Sequence, residues 1–212
     1  MPNKESMTQS YNAPSVRDGS QVRILGLSGS TRKGSFNTAL LHASKELLPE
    51  NTTLEIHDLS GLPLFSQDIE HDLTPAIRTF KQKIREADTI LFASPEHNYS
   101  ITAVMKNAIE WGNRPPGDRS WKGKTAGIIS ASSGPRGGVR SQMHLRQIMV
   151  DMDMYPIDTP QLLVGDAETK FDRNLNLIDE QTRKILRDLL VSLADWTRRL
   201  RSTRQVPEVR LR

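Results

Sequence analysis

Seven side chains able to contact an anion crowd into residues 28–37: Ser28, Ser30, Thr31, Arg32, Lys33, Ser35 and Asn37, with Gly29 and Gly34 between them. An apolar, partly β-branched run (VRILGL) precedes them and a helical pattern follows, so a strand, a turn and a helix in succession must carry them. The first turn of a helix has N–H groups without partners and a partial positive charge, which makes such a turn a ready phosphate site. An ordinary polar loop has the same composition, so the turn must be tested against known phosphate templates. The dinucleotide pattern Gly-x-Gly-x-x-Gly fails, because Thr31 stands two residues after Gly29. The Walker loop fails as well: Gly29 and Gly34 have its spacing, but Ser35 occupies the place of the phosphate lysine. A hydroxyl-rich loop with a single Arg suits one terminal monophosphate better than a magnesium-bound chain of phosphates.

The elements that must position this turn follow from periodicity. Leu40, Leu41, Ser44, Leu47 and Leu48 share one face of a helix over 37–48, which Pro49 ends. Residues 53–59 alternate as a second strand. Thr74 and Pro75 make a helix start, cap then first-turn proline, ahead of the stripe Ile77, Phe80, Ile84 and Ala87. Residues 89–93 (TILFA) are the continuous apolar run of a strand buried on both faces. After the segment SPEHNYS comes a helix with Ile101, Val104, Met105, Ala108 and Ile109 on one stripe, stopping at Gly112. Residues 125–130 form a fourth strand that runs into a second glycine-rich turn, ASSGPRGG. A helix over 139–152 is expected to bury Met143, Ile148, Met149 and Met152, and a short fifth strand over 157–164 is interrupted by Pro160, which puts it at an edge or gives it a late start. The longest helix, 179–200, carries Ile185, Leu186, Leu189, Leu190, Leu193 and Trp196; Trp196 and Trp111 are expected in the core or at an interface.

Strands alternating with helices imply a doubly wound five-stranded parallel α/β sheet with right-handed crossovers. In strand order 2-1-3-4-5 the turns after strands one, three and four meet in one crevice beyond the carboxyl ends. One would hold the phosphate, and the other two would frame something flat.

The chain's 212 residues suit one domain, expected over 21–200 between a disordered polar lead (1–20) and a basic tail (201–212). There is no apolar run of membrane-spanning length, about 18 residues or more. With no cysteine, disulfides, thiolate catalysis and Cys-ligated metals are excluded, and a cytoplasmic location is the default. His57 and His71 lack a spaced partner ligand, so no metal site is expected. The net charge of +4 belongs to the tail, where residues 198–212 hold six arginines against one glutamate. Without a nucleic-acid motif this reads as a solvated or partner-contacting end, with no nucleic-acid partner.

The three turns together resemble the NADPH-dependent FMN reductases of flavodoxin-like fold, a family that includes quinone, chromate and azo-dye reductases. The resemblance rests on GSTRKGSFN, SPEHNYSITAVMKNAIEW and SSGPRGG and spans nearly everything except the two ends. It implies that Ser28, Ser30, Arg32, Ser35 and Asn37 hold the FMN phosphate. It lays Pro95, Glu96, His97 and Asn98, with Tyr99, along the isoalloxazine, and puts Ser132, Ser133, Gly134 and Gly138 at the pyrimidine end. His97 stands where the family has Tyr, which alters the flat group offered there. It implies no catalytic side chain, since hydride transfer is the flavin's own chemistry and backbone N–H groups can stabilise charge near its N1. The implied partners are NADPH or NADH, a small-molecule electron acceptor such as a quinone or free flavin, and further copies of the chain in a homodimer or homotetramer. Two other functions fit a phosphate turn: a flavodoxin-like electron carrier without its own substrate, and a non-redox sensor of a phosphorylated ligand. A near-neutral domain argues against the carrier, which docks through strong negative charge.

Overall fold

The computed structural model of the protein describes residues 21–204. In its sheet β1 (Val22–Ser28) is flanked by β2 (Thr52–His57) and β3 (Thr89–Ala93), with β4 (Thr125–Ala131) beyond β3. All pairs are parallel, in the expected order. Every residue of β3 and β4 is buried, which is why both read as unbroken apolar runs with small residues between.

The fifth position is interrupted at Pro160 as expected, but its first piece begins earlier, at Tyr155. Two short pieces fill it: β5 (Tyr155–Pro156) pairs with the start of β4, and β6 (Leu162–Val164) pairs with its end. Ile157 still donates its N–H to Ala126 O at 2.9 Å. Pro160 has no N–H to donate, and the chain leaves the sheet around it before re-entering at Leu162.

Helices cover both faces. On one side, α1 (Phe36–Glu46) and α5 (Glu180–Arg204) pack Leu40, Leu41, Leu186, Leu189, Leu190 and Leu193 against the sheet. On the other lie α2 (Pro75–Glu86), α3 (Ala103–Asn113) and α4 (Val139–Asp151), with Ile77, Phe80, Met105, Trp111, Leu145 and Met149. Each such side chain, fully buried, is worth about 1.5–3 kcal/mol. Thr74 caps α2 ahead of Pro75, and Thr102 caps α3 by accepting from Met105 N at 3.1 Å. Ile101, expected on the helical stripe, is buried just ahead of α3.

Two further expectations are corrected. Met143 is 58% exposed, because the buried face of α4 is formed by Ser141, Gln142, Leu145 and Met149. Helix α5 runs to Arg204, past the boundary expected at residue 200, and Arg198 and Arg201 donate to Glu50 O at 3.1 Å and Gln21 O at 2.7 Å. The start of the basic segment is thus docked on the domain; residues 1–20 and 205–212, the expected lead and most of the tail, lie outside the described residues. Trp111 is fully buried and donates to Pro63 O at 2.7 Å, while Trp196 donates to Tyr155 O at 3.1 Å. Among the described residues no helix is long and apolar enough to cross a membrane, and no group of three or more candidate ligands could hold a metal.

Candidate active site

The turn after β1 is stitched to its neighbours. Gly29 N donates to Ala93 O at 2.9 Å, and Thr102 Oγ1 donates to Gly29 O at 2.6 Å. A Cβ at Gly29 would lie 3.0 Å from Thr102 Oγ1 and 3.1 Å from Pro95, so glycine lets this turn press directly on the one after β3. Ser28 Oγ lies 2.8 Å from Thr38 Oγ1 and accepts from Ser30 N at 3.3 Å, fastening the turn to α1. Ser35 caps α1 by accepting from Thr38 N at 3.3 Å, and its hydroxyl keeps a proton to donate. The N–H groups of Phe36 and Asn37 fall in that first helical turn, where no intrahelical acceptor exists. Arg32 is exposed, donates to Gly34 O at 2.8 Å and lies over the Phe36 ring. Asn37 points elsewhere. Its Nδ2 donates to Ala131 O at 2.8 Å and its Oδ1 accepts from Ala131 N at 3.0 Å, tying α1 to the carboxyl end of β4.

The turn after β3 is a rigid hairpin tip. His97 and Ser100 exchange backbone hydrogen bonds at 3.0 and 2.9 Å, and Asn98 (φ 49°) and Tyr99 (φ 68°) are both left-handed, as a type I′ turn requires. Beneath it Glu96 accepts from Arg140 N at 2.9 Å and Arg140 Nη1 at 3.0 Å. Burial raises the Glu96 pKa, but the hydrogen bonds from Arg140 and Ser141 outweigh it and hold the carboxyl below its ordinary range. The same guanidinium stacks on the Tyr99 ring at 3.9 Å, and His144 Nδ1 lies 3.0 Å from Ser100 Oγ.

The turn after β4 is backed by β6. Ser132 N donates to Val164 O at 2.9 Å, Ala167 N donates to Ser132 O at 3.1 Å, and Ser132 Oγ accepts from Gly134 N at 3.1 Å. Gly138 begins α4 at φ 85°, where a Cβ would lie 2.9 Å from that of Ser130.

These three turns converge on one cleft of about 430 Å³, within the range of small-molecule sites. Of the expected residues, Ser30, Arg32, Ser35 and Asn37 line it from the first turn, Pro95, Glu96 and His97 from the second, and Ser132 and Ser133 from the third. Ser28, Asn98, Tyr99, Gly134 and Gly138 stand beside it without forming its wall. Phe36, Thr102, Ala103 and Val104 also line it and were not anticipated. Thr102 carried a legible signal, a hydroxyl residue at the head of an apolar helical stripe. The Arg140 clamp carried none. A second concavity of about 290 Å³ beside β1 and β2 is edged by Arg23, Glu55, Lys83 and Glu86, where Lys83 pairs with Glu55 at 3.0 Å and Arg23 donates to Glu86 O. Its charges are engaged with protein groups.

FMN asks for an anion site at one end of a slot and hydrogen-bonding groups at the other. The cleft has both: Ser30, Arg32, Ser35 and the first turn of α1 at one end, and Ser132 and Ser133 with the glycine turn at the other. Ala103 and Val104 supply apolar surface between them. The residues present fit the group.

Comparison with known proteins gives the same direction. The profile of a family described as NADPH-dependent FMN reductase matches residues 22–169. An NAD(P)H-dependent FMN reductase of Pseudomonas aeruginosa is 41% identical over 181 residues, covering 85% of this chain and 97% of its own. An NADPH:quinone oxidoreductase of Arabidopsis thaliana is 46% identical over 186 residues, covering 84% of this chain and 93% of its own. Among solved structures, a flavoenzyme NAD(P)H:(acceptor) oxidoreductase from Paracoccus denitrificans superposes with a TM-score of 0.78 at 27% identity, covering 84% of this chain and 98% of that one.

Proposed function

The chain belongs to the NADPH-dependent FMN reductase family and is an NAD(P)H-dependent flavin oxidoreductase acting on quinones or flavins; from that premise we propose how its residues carry the reaction. FMN, when bound there, would supply the hydride chemistry between NAD(P)H and the acceptor. Ser30, Arg32 and Ser35, with the N–H groups opening α1, hold the phosphate by charge-assisted hydrogen bonds. Thr102 and Gly29 keep this turn against the next, so that phosphate and ring sites have one fixed spacing. Ala103 and Val104 exclude water from the inner face of the ring slot. Ser132, Ser133 and the backbone N–H of the glycine turn orient the ring's pyrimidine edge and stabilise negative charge developing there. Glu96, clamped by Arg140, holds the second turn at the open side, where donor and acceptor enter in succession.

The observation that supports this reading is the convergence of three turns, far apart in sequence, on a single cleft. We further propose self-association as a dimer or tetramer. Exposed Met143 and Val150, on α4 beside the second turn, support it. Anaerobic addition of NADPH to the FMN-loaded protein is the test. The visible flavin band should bleach rapidly and return when a quinone is added; slow or absent bleaching would favour an electron carrier instead.

A further inference from the structure

Quinone reduction needs a proton as well as a hydride, and the cleft has few groups able to provide one. Among the residues lining it, only Arg32, Glu96 and His97 are titratable. Arginine stays protonated in proteins. Glu96 accepts two hydrogen bonds from Arg140, which hold it ionised. His97 is exposed to the cleft, and neither of its ring nitrogens is hydrogen-bonded to another of the described residues. Its mount is rigid: its backbone exchanges two hydrogen bonds with Ser100, and the residue before it is clamped to α4. A free imidazole on a fixed backbone, facing a reaction cleft, is placed for proton transfer rather than for holding the fold together.

We propose that His97 is a catalytic residue of the acceptor half-reaction, donating a proton to the oxygen of the quinone as it is reduced. This rests on the proposed function above. The balance is simple. A hydride equivalent originating from NAD(P)H brings two electrons and one hydrogen to the quinone, leaving one oxygen anionic. The N–H bond of the imidazolium breaks, the O–H bond of the hydroquinone forms, and the neutral imidazole regains its proton from solvent at the cleft mouth. The charged and titratable groups around it are Arg32 across the cleft, Tyr99 on its own turn, Glu96 and Arg140 at the turn's base, and His144 on α4. Glu96 and Arg140 pair with each other at 3.0 Å, and Arg32 lines the same cleft.

The test compares p-benzoquinone with ferricyanide, an acceptor that takes electrons without a proton. In the parent enzyme the ratio of quinone to ferricyanide turnover should decline as pH rises and the supply of protons to the cleft falls. In His97→Gln that ratio should be lower than the parent's at the same pH by on the order of 10²-fold, and its pH dependence should vanish. A second readout needs no turnover: adding FMN should move the Cε1–H NMR signal of His97, identified by its loss in the variant. A parent-like ratio and slope in His97→Gln overturns the proposal, as does a His97 signal that FMN leaves in place. Failure to bind FMN or to oxidise NADPH would remove the proposed function itself. Ferricyanide turnover with an unaltered quinone ratio removes only His97.

Discussion

The two ends of the sheet use similar polar side chains to opposite effect. At the amino end they close on one another. Buried Lys81 donates to Trp111 O at 2.8 Å and also to Arg114 O, and pairs at 2.9 Å with Asp118, which in turn pairs with Arg85 at 2.6 Å. Lys124 reaches Ala87 O at 2.7 Å, and Asp88 accepts from Arg23 N at 2.8 Å while pairing with Arg201. Burial pushes the Lys81 ammonium below its ordinary pKa even against Asp118, the mark of a group held for structure at some cost. At the carboxyl end Arg32, Ser30, His97 and Ser133 face open space. The lesson is that the networks, rather than the residue types, separate scaffold from cleft: polar groups closed among themselves stabilise the fold, and those facing the cleft keep capacity for a ligand.

The comparison can be broken first at its closed end. Lys81→Ala leaves two carbonyls and part of Asp118 without a partner and should cost about 3 kcal/mol of stability in urea unfolding, while FMN affinity measured by fluorescence titration stays unchanged. Weakened binding in that variant would mean the two ends are coupled. Arg32→Ala should give the reverse result. FMN binding weakens by about 1.5–3 kcal/mol, the loss of charge-assisted contacts, with the unfolding midpoint of the FMN-free protein unmoved.

Asn37→Ala sharpens the boundary, because this residue lines the cleft yet has its amide engaged by β4. Stability should fall by about 1–2 kcal/mol and FMN should bind more weakly, both in one variant. The smallest effect belongs to Asp179, a closed group beyond the cleft that caps α5. Hydrogen bonds from Thr182, then Lys170, hold its pKa at about 2 against an ordinary 3.8. Its folded pKa is lowered, so its contribution is complete above about pH 3.8 and is lost as pH falls through about 2. Asp179→Ala should cost about 1 kcal/mol at neutral pH, and the difference from the parent should close on acidification.

What was legible in the sequence was local. The start of α2 at Thr74 and Pro75, and the whole of β3, follow from capping chemistry and an apolar run. The three turns stood out because Gly, Ser and Pro punctuate them, and parallel topology then required them to share a crevice. What stayed hidden needs partners distant in sequence. Asn37 meets Ala131 across 94 positions, and Glu96 meets Arg140 across 44. Met143 lies on the exposed face although its hydrophobicity predicts burial. On α4 a buried Gln142 instead satisfies its amide on Ser130 Oγ and Leu162 O, each at 2.8 Å. Ser35 read as a phosphate ligand, and its capping role emerged only once the first residue of α1 was known.

A crystal structure of the protein grown with FMN tests the central claim most directly. The phosphate oxygens should lie within hydrogen-bonding distance of Ser30, Arg32, Ser35 or the first-turn N–H groups of α1, with the ring between His97 and the Ser132–Ser133 turn. A phosphate bound elsewhere, or a ring outside the space between the second and third turns, would contradict it.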